Sequence, residues 1–146
     1  MSHKLIALIF AGLQSITSVP ALAGGDQDGL PDGKLLYAEN CAVCHGKNLE
    51  GQAGWRRRLP SGLMPAPPHD ETGHSWSHSD SYLFSVTKLG LNAVVGGGYQ
   101  SDMPAFGDVL SSAQIRATLD FIKGSWPQAQ KDFQAAITQK DAALTE

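Results

Sequence analysis

Both cysteines of this 146-residue chain lie in one pentapeptide, Cys41-Ala42-Val43-Cys44-His45. Thiols that close together cannot staple distant parts of a chain, so a disulfide framework is not available to it. The fold must be held by apolar burial, or by something that the thiols themselves take up. With 42% hydrophobic and 17% charged residues, the composition suits one small domain and is unlike that of a disordered segment.

The N-terminus reads MSHKLIALIFAGLQSITSVPALAGG, with Lys4 ahead of an apolar run from Leu5 to Leu13 and the small-residue pattern Ala21-Leu22-Ala23. This predicts a secretory signal peptide over 1–23 and a periplasmic destination for the mature chain. A membrane anchor is the competing reading. A span needs about 20 apolar residues, and Gln14, Ser15, Thr17, Ser18 and Pro20 interrupt this one. No stable membrane insertion is expected after cleavage. The formal charge of -3 leaves no basic excess for a phosphate backbone, and Arg56-Arg57-Arg58 is the only dense basic run. Nucleic acid is therefore excluded as a natural partner.

Residues 24–30 are small and polar, as expected of a flexible tail. Leu36, Tyr37 and Asn40 at helical spacing, with Asp32 as N-cap, predict a helix over 33–41 that delivers Cys41 at its end. A second helix is predicted over 80–89, where Tyr82, Leu83, Val86 and Leu89 share a face and Gly90 follows. In SSAQIRATLDFIKG, Ser111 and Gln114 form a capping box, and Ile115, Thr118, Leu119 and Ile122 make one stripe that closes at Gly124. A last helical tail, partly frayed, is expected, with Phe133, Ala136, Ile137 and Leu144 on one side as a thin apolar stripe. No segment alternates apolar and polar residues convincingly, and Gly96-Gly97-Gly98 has no strand before it. The expected fold is all-α: three core helices, two long loops and a helical extension, wrapped around an internal ligand.

The pentapeptide supplies that ligand's chemistry. Two thiols separated by two residues match the gap between two haem vinyl groups, and the adjacent His45 is then placed as proximal iron ligand. A redox dithiol, half of a zinc site and a local disulfide compete with haem c. The dithiol expects a βαβ context that is missing here, and zinc needs four ligands. For the iron's other axial position, Met64 and Met103 are the methionines beyond the predicted leader. Topology favours Met103, because the chain must pass the haem edge before returning over the opposite face. A core methionine filling a gap is the bland alternative.

GKLLYAENCAVCHG followed by SDMPAFGDVLSSAQIRATLDFIK resembles the class I c-type cytochromes, from Pro31 to Lys123. The resemblance implies a cytochrome c domain over 31–126, with 127–146 as its extension, and a small cytochrome c-like fold around one covalent haem c. It also implies His45/Met103 ligation and a crossing of the first helix over the last core helix through Gly33, Tyr37, Thr118 and Phe121, with Thr118 a polar departure. A proline carbonyl is expected to orient the His45 ring, and Pro60 is the candidate.

The long loop holds His69, His74 and His78 with Asp70, Glu71 and Asp80, a composition that suits copper or zinc. Its plainer reading packs Trp76 on the haem edge and leaves the polar residues in water. Trp55, Arg56 and Tyr99 are candidate donors to the haem propionates. The expected function is that of an exported monohaem electron carrier, monomeric and not itself an enzyme. It would dock transiently on redox partner proteins through a surface that includes Ala105 and Phe106. Two alternatives stay open: a haem enzyme or gas- or peroxide-sensing domain with a labile sixth ligand, and a metal-handling module built on the histidine-rich loop.

Overall fold

The computed structural model describes residue 29 and residues 31–144. The predicted signal peptide and most of the predicted tail lie outside the described residues. Among those residues the only regular elements are helices, joined by long loops, and there is no strand. In order it forms α1 (Gly33–Asn40), α2 (Ala42–His45), a 3-10 turn (Ser75–Ser77), α3 (Asp80–Leu89), α4 (Leu91–Val95), α5 (Ser112–Gly124) and α6 (Gln128–Leu144). No helix of the described residues is long and apolar enough to cross a membrane.

The helix boundaries follow from their caps. Asp32 Oδ1 accepts from the amides of Lys34 and Leu35 at 2.9 and 3.1 Å, which satisfies two of the free donors that start α1. Ser111 and Gln114 close the reciprocal capping box on α5. Gly90 takes φ +82 after α3, a conformation that favours glycine, and turns the chain into α4.

The centre of the fold is the crossing of α1 on α5. A Cβ on Gly33 would lie 2.0 Å from the Ala117 carbonyl oxygen and 3.2 Å from Phe121 Cβ, so the absent side chain lets the two backbones touch. Tyr37 then packs on Phe121 with ring centroids 5.4 Å apart. Thr118 is fully buried there, and its hydroxyl donates to the Gln114 carbonyl at 2.9 Å, so the polar residue needs no partner across the interface. Tyr37, Leu49, Ile122 and Trp126 form the buried apolar cluster, with Leu83, Leu119, Trp76 and Phe121 packed partly buried around it.

The α6 helix docks differently from the sequence expectation. Phe133 and Leu144 are exposed, and the residue that α6 buries is Gln134. Its amide donates to Asp80 Oδ1 at 2.7 Å and to Thr138 Oγ1 at 3.0 Å, while Lys123 Nζ reaches the same Asp80 oxygen at 2.7 Å. Thr138 Oγ1 in turn accepts from the Asp80 amide at 3.1 Å. The apolar stripe was too thin to set the orientation, so a polar knot around the start of α3 sets it instead. Trp76 meets Phe133 of α6 edge to face, with centroids 5.8 Å apart.

Candidate haem site

The α1 helix hands the chain directly to the pentapeptide. Cys41 caps α1, and the amides of Cys44 and His45 both bond back to the Cys41 carbonyl, at 3.1 and 2.9 Å. This single turn puts positions 41, 44 and 45 on one side of the chain. Cys44 is exposed and Cys41 is half-buried; burial pushes the Cys41 thiol up to about 11, and the neighbouring Cys44 adds to the shift. Gly46 ends the turn at φ +83, where a Cβ would meet the Glu50 carboxylate at 2.2 Å. The Tyr37 hydroxyl donates to the Gly46 carbonyl at 2.9 Å and ties the turn to the helix crossing.

His45 is buried, and its Nδ1 stands 2.8 Å from the Pro67 carbonyl oxygen. A carbonyl only accepts, so Nδ1 carries the proton and Nε2 keeps its lone pair. Burial lowers the pKa of His45 against the opposing effect of that hydrogen bond, so the neutral imidazole is the resident form. Two thiols on one turn, with an oriented neutral imidazole beside them, are a donor set that fits covalent haem with a nitrogen axial ligand.

Pro67, and not Pro60, supplies the carbonyl. The residues between Gln52 and Ala66 leave the site and return to it. The Gln52 amide bonds to the Ala66 carbonyl, and the Ala66 amide to the Gln52 side chain, each at 2.9 Å. Pro60 belongs to the far turn of that excursion, which is closed by the Leu59 and Leu63 backbones. Pro67 and Pro68 come back against Gly51, where a Cβ would lie 2.4 Å from the Pro68 nitrogen. Sequence distance from His45 could not show this, because the excursion is closed by backbone pairing.

The loop histidines do not gather. The His69 ring stacks on His45, with centroids 3.8 Å apart and planes 16° apart. His74 and His78 join a separate ladder: Trp55 on His74 (5.4 Å), His74 on His78 (5.4 Å) and His78 on Tyr82 (4.5 Å), with the Arg56 guanidinium over Trp55 at 4.3 Å. Among the described residues no three His, Cys, Asp or Glu side chains form a group able to hold a metal ion. Burial lowers the pKa of His74 and of His78; Arg56 adds to the first shift and His74 to the second. Arg56 also donates to the Thr72 carbonyl at 3.4 Å. Half-buried Tyr99 closes the glycine turn by bonding its amide to the Gly96 carbonyl at 2.9 Å.

Met103 is half-buried, in a segment pinned to the end of α3. The Phe106 amide bonds to the Thr87 carbonyl at 3.0 Å and the Gly107 amide to the Lys88 carbonyl at 2.9 Å. These are carbonyls that the end of a helix leaves without intrahelical donors. A Cβ on Gly107 would come within 2.9 Å of the Lys88 oxygen, which explains why a glycine follows MPAF.

Residues 28–122 match the family described as cytochrome c oxidase, cbb3-type, subunit III. The chain belongs to that family. Such a domain is a class I c-type cytochrome, and it carries covalently bound haem c. The cbb3-type cytochrome c oxidase subunit FixP of Azorhizobium caulinodans is 28% identical over 105 residues, covering 72% of this chain and 32% of its own length. The gluconate 2-dehydrogenase cytochrome c subunit of Pantoea cypripedii is 33% identical over 112 residues, covering 76% and 23%. The cbb3-type oxidase subunit CcoP of Azospirillum brasilense is 30% identical over 90 residues, covering 62% and 26%. This member of the family thus spans no more than about a third of the length of these relatives. No solved structure matches the chain. Membership supports a haem-based electron-transfer role, and the relatives are named as parts of oxidoreductases.

Proposed function

We propose that the chain is an exported, periplasmic monohaem cytochrome c that carries single electrons between redox proteins, with residues 31–126 as the cytochrome unit and 127–146 as an extension. In this reading Cys41 and Cys44 form the thioethers, His45 is the proximal ligand and Met103 the distal one. The observation that carries the reading is the His45 ring, held neutral with Nδ1 on the Pro67 carbonyl and Nε2 left free to ligate. Bound haem c supplies an Fe(III)/Fe(II) couple, which a soft methionine ligand shifts toward Fe(II).

The chain's own residues do the rest. The pinned segment Phe106–Gly107 holds Met103 at a fixed place beside α3, and the first turn after α1 fixes both thiols. Trp55, Arg56 and Tyr99 are the proposed donors to the propionates. With two protein ligands on the iron, no site is left for a substrate, so the chain is a carrier and not by itself an enzyme. The relatives' names point to an oxidase or a dehydrogenase as the class of partner. Val43 and Cys44 on the attachment turn and Ala105 and Val109 beside the Met103 segment are exposed, and Phe106 is half-buried; the proposed docking surface draws on these residues. That surface suits brief docking by a monomer on a partner.

Optical spectra of the purified holoprotein and of Met103→Ala test the reading. A low-spin ferric spectrum with a methionine-to-iron charge-transfer band, lost in Met103→Ala together with a fall in reduction potential, is expected. A high-spin ferric form of the unmodified protein that reacts with peroxide, or a reduced form that binds carbon monoxide, would replace it with the sensing or enzymatic alternative.

A further inference from the structure

The hydrogen bond from Nδ1 to the Pro67 carbonyl tethers one edge of the His45 ring, and a ring held at one edge can still rock about its attachment to the chain. His69 lies against the face. Its ring is 3.8 Å from that of His45 and only 16° from parallel, so a rotation of His45 out of its present plane drives the ring's edge into His69. The two constraints come from one short segment, with Pro67 supplying the carbonyl and His69 the flat surface two residues later.

His69 is itself firmly backed. Its amide donates to the Leu49 carbonyl at 2.7 Å, and its carbonyl accepts from Trp126 Nε1 at 2.8 Å. The edge of its ring meets Tyr37 at 5.9 Å and 65°, and Tyr37 packs on Phe121 at 5.4 Å. A column of rings, Phe121, Tyr37, His69 and His45, therefore runs from the crossing of α1 and α5 to the candidate axial ligand. The ring's Nδ1 adds nothing to this: it is buried with no hydrogen-bond partner among the described residues. What the site uses is the flatness of the ring.

We propose that His69 is a positioning residue, a flat platform that fixes the rotational setting of the His45 imidazole above its own face. The proposal rests on the reading of His45 as an iron ligand. The plane of an axial imidazole decides which of the iron's π-type orbitals it raises. A fixed plane gives ferric iron one sharp magnetic anisotropy, and a rocking plane gives a spread of them. Second-shell contacts of this kind tune a metal through its ligand.

The test compares the ferric holoprotein with His69→Leu and His69→Phe, using the haem methyl proton shifts and the largest g value of the frozen-solution electron paramagnetic spectrum. His69→Leu fills the space without a plane; it is expected to shift and broaden the g feature and to compress or reorder the methyl shifts. His69→Phe keeps a plane and drops the unpartnered nitrogen. It is expected to retain the wild-type pattern with stability equal or higher. Wild-type spectra in His69→Leu would overturn the proposal, as would a Phe variant displaced as far as the Leu variant. The optical methionine band reports separately on Met103: its absence would count against the carrier reading, while the methyl shifts still report on His69 whichever sixth ligand is bound.

Discussion

Gly33→Ala tests the helix crossing on which the site is built. Alanine is ordinarily the better helix former, by about 1 kcal/mol in a helix interior, so propensity alone predicts a stabilised protein. The structure predicts the reverse. The new Cβ would stand 2.0 Å from the Ala117 oxygen and 2.6 Å from its carbonyl carbon, both backbone atoms that cannot rotate away. Restoring a tolerable approach of roughly 3 Å means moving α1 and α5 apart by about 1 Å, which loosens the Tyr37–Phe121 contact as well. Overpacking of this kind costs about 1–3 kcal/mol, and little of the propensity gain is available at the first residue of a helix. Net destabilisation of about 2 kcal/mol is expected, a sizeable share of the roughly 5–15 kcal/mol that stabilises a typical domain. Denaturant unfolding of the holoprotein, followed by haem absorbance and by circular dichroism, measures it. Gly124→Ala is the control, since a Cβ there meets nothing within 4 Å; it should be neutral or stabilising. Equal midpoints for the two variants would refute the close backbone contact.

Other consequences can be checked in parallel. Asp80→Ala removes the charged acceptor shared by Lys123 and Gln134 and leaves the Gln134 amide with the His78 carbonyl and Thr138 Oγ1 alone. It should cost about 1–3 kcal/mol and speed hydrogen exchange across 128–144 more than across α1. The depressed pKa values of His74 and His78 mean that the unfolded chain binds protons more readily than the folded one. Their contribution is complete above the unfolded pKa of about 6.5 and is lost as pH falls through it toward the folded values. The melting temperature should decline as pH falls below about 6.5, and a His74→Gln, His78→Gln double variant should flatten that decline; an unchanged slope would contradict the lowered pKa values of the ladder. Gly107→Ala crowds the Lys88 carbonyl and should weaken the methionine-to-iron band while leaving the attached haem in place.

What could be read in advance was local. Asp32, Ser111, Gln114 and Gly90 act on backbone groups within a few residues of themselves, so the ends of α1, α3 and α5 were legible from short words. The turn of the pentapeptide was legible for the same reason, because positions 41, 44 and 45 are brought together within a single turn. Residues whose roles depend on closure of the chain were not. Pro60 and Pro67 are alike as amino acids; only the pairing of Gln52 with Ala66 decides which one meets His45. His69 read together with His74 and His78 as one histidine-rich stretch, with metal binding and plain packing both open, yet its ring stacks on His45 while theirs join the ladder between Trp55 and Tyr82. The α6 helix was misread for a different reason. Its apolar residues are few, and a stripe that weak yields to hydrogen bonds from Gln134 and Thr138 that no periodicity announces.

The bonding of Phe106 and Gly107 to the last carbonyls of α3 gives the segment that carries Met103 a shared fate with a helix end. Helix ends are where native proteins open most often, at a cost far below global unfolding. Here an opening of the final turn of α3 removes the acceptors that hold the segment, and a departure of the segment uncovers that turn to water. The two should therefore exchange as one cooperative unit, and the amide protons of Phe106 and Gly107 are its reporters. On the proposed reading of Met103 as an iron ligand, the lifetime of that bond is then set in part by the fraying of the end of α3, and not by its own strength alone.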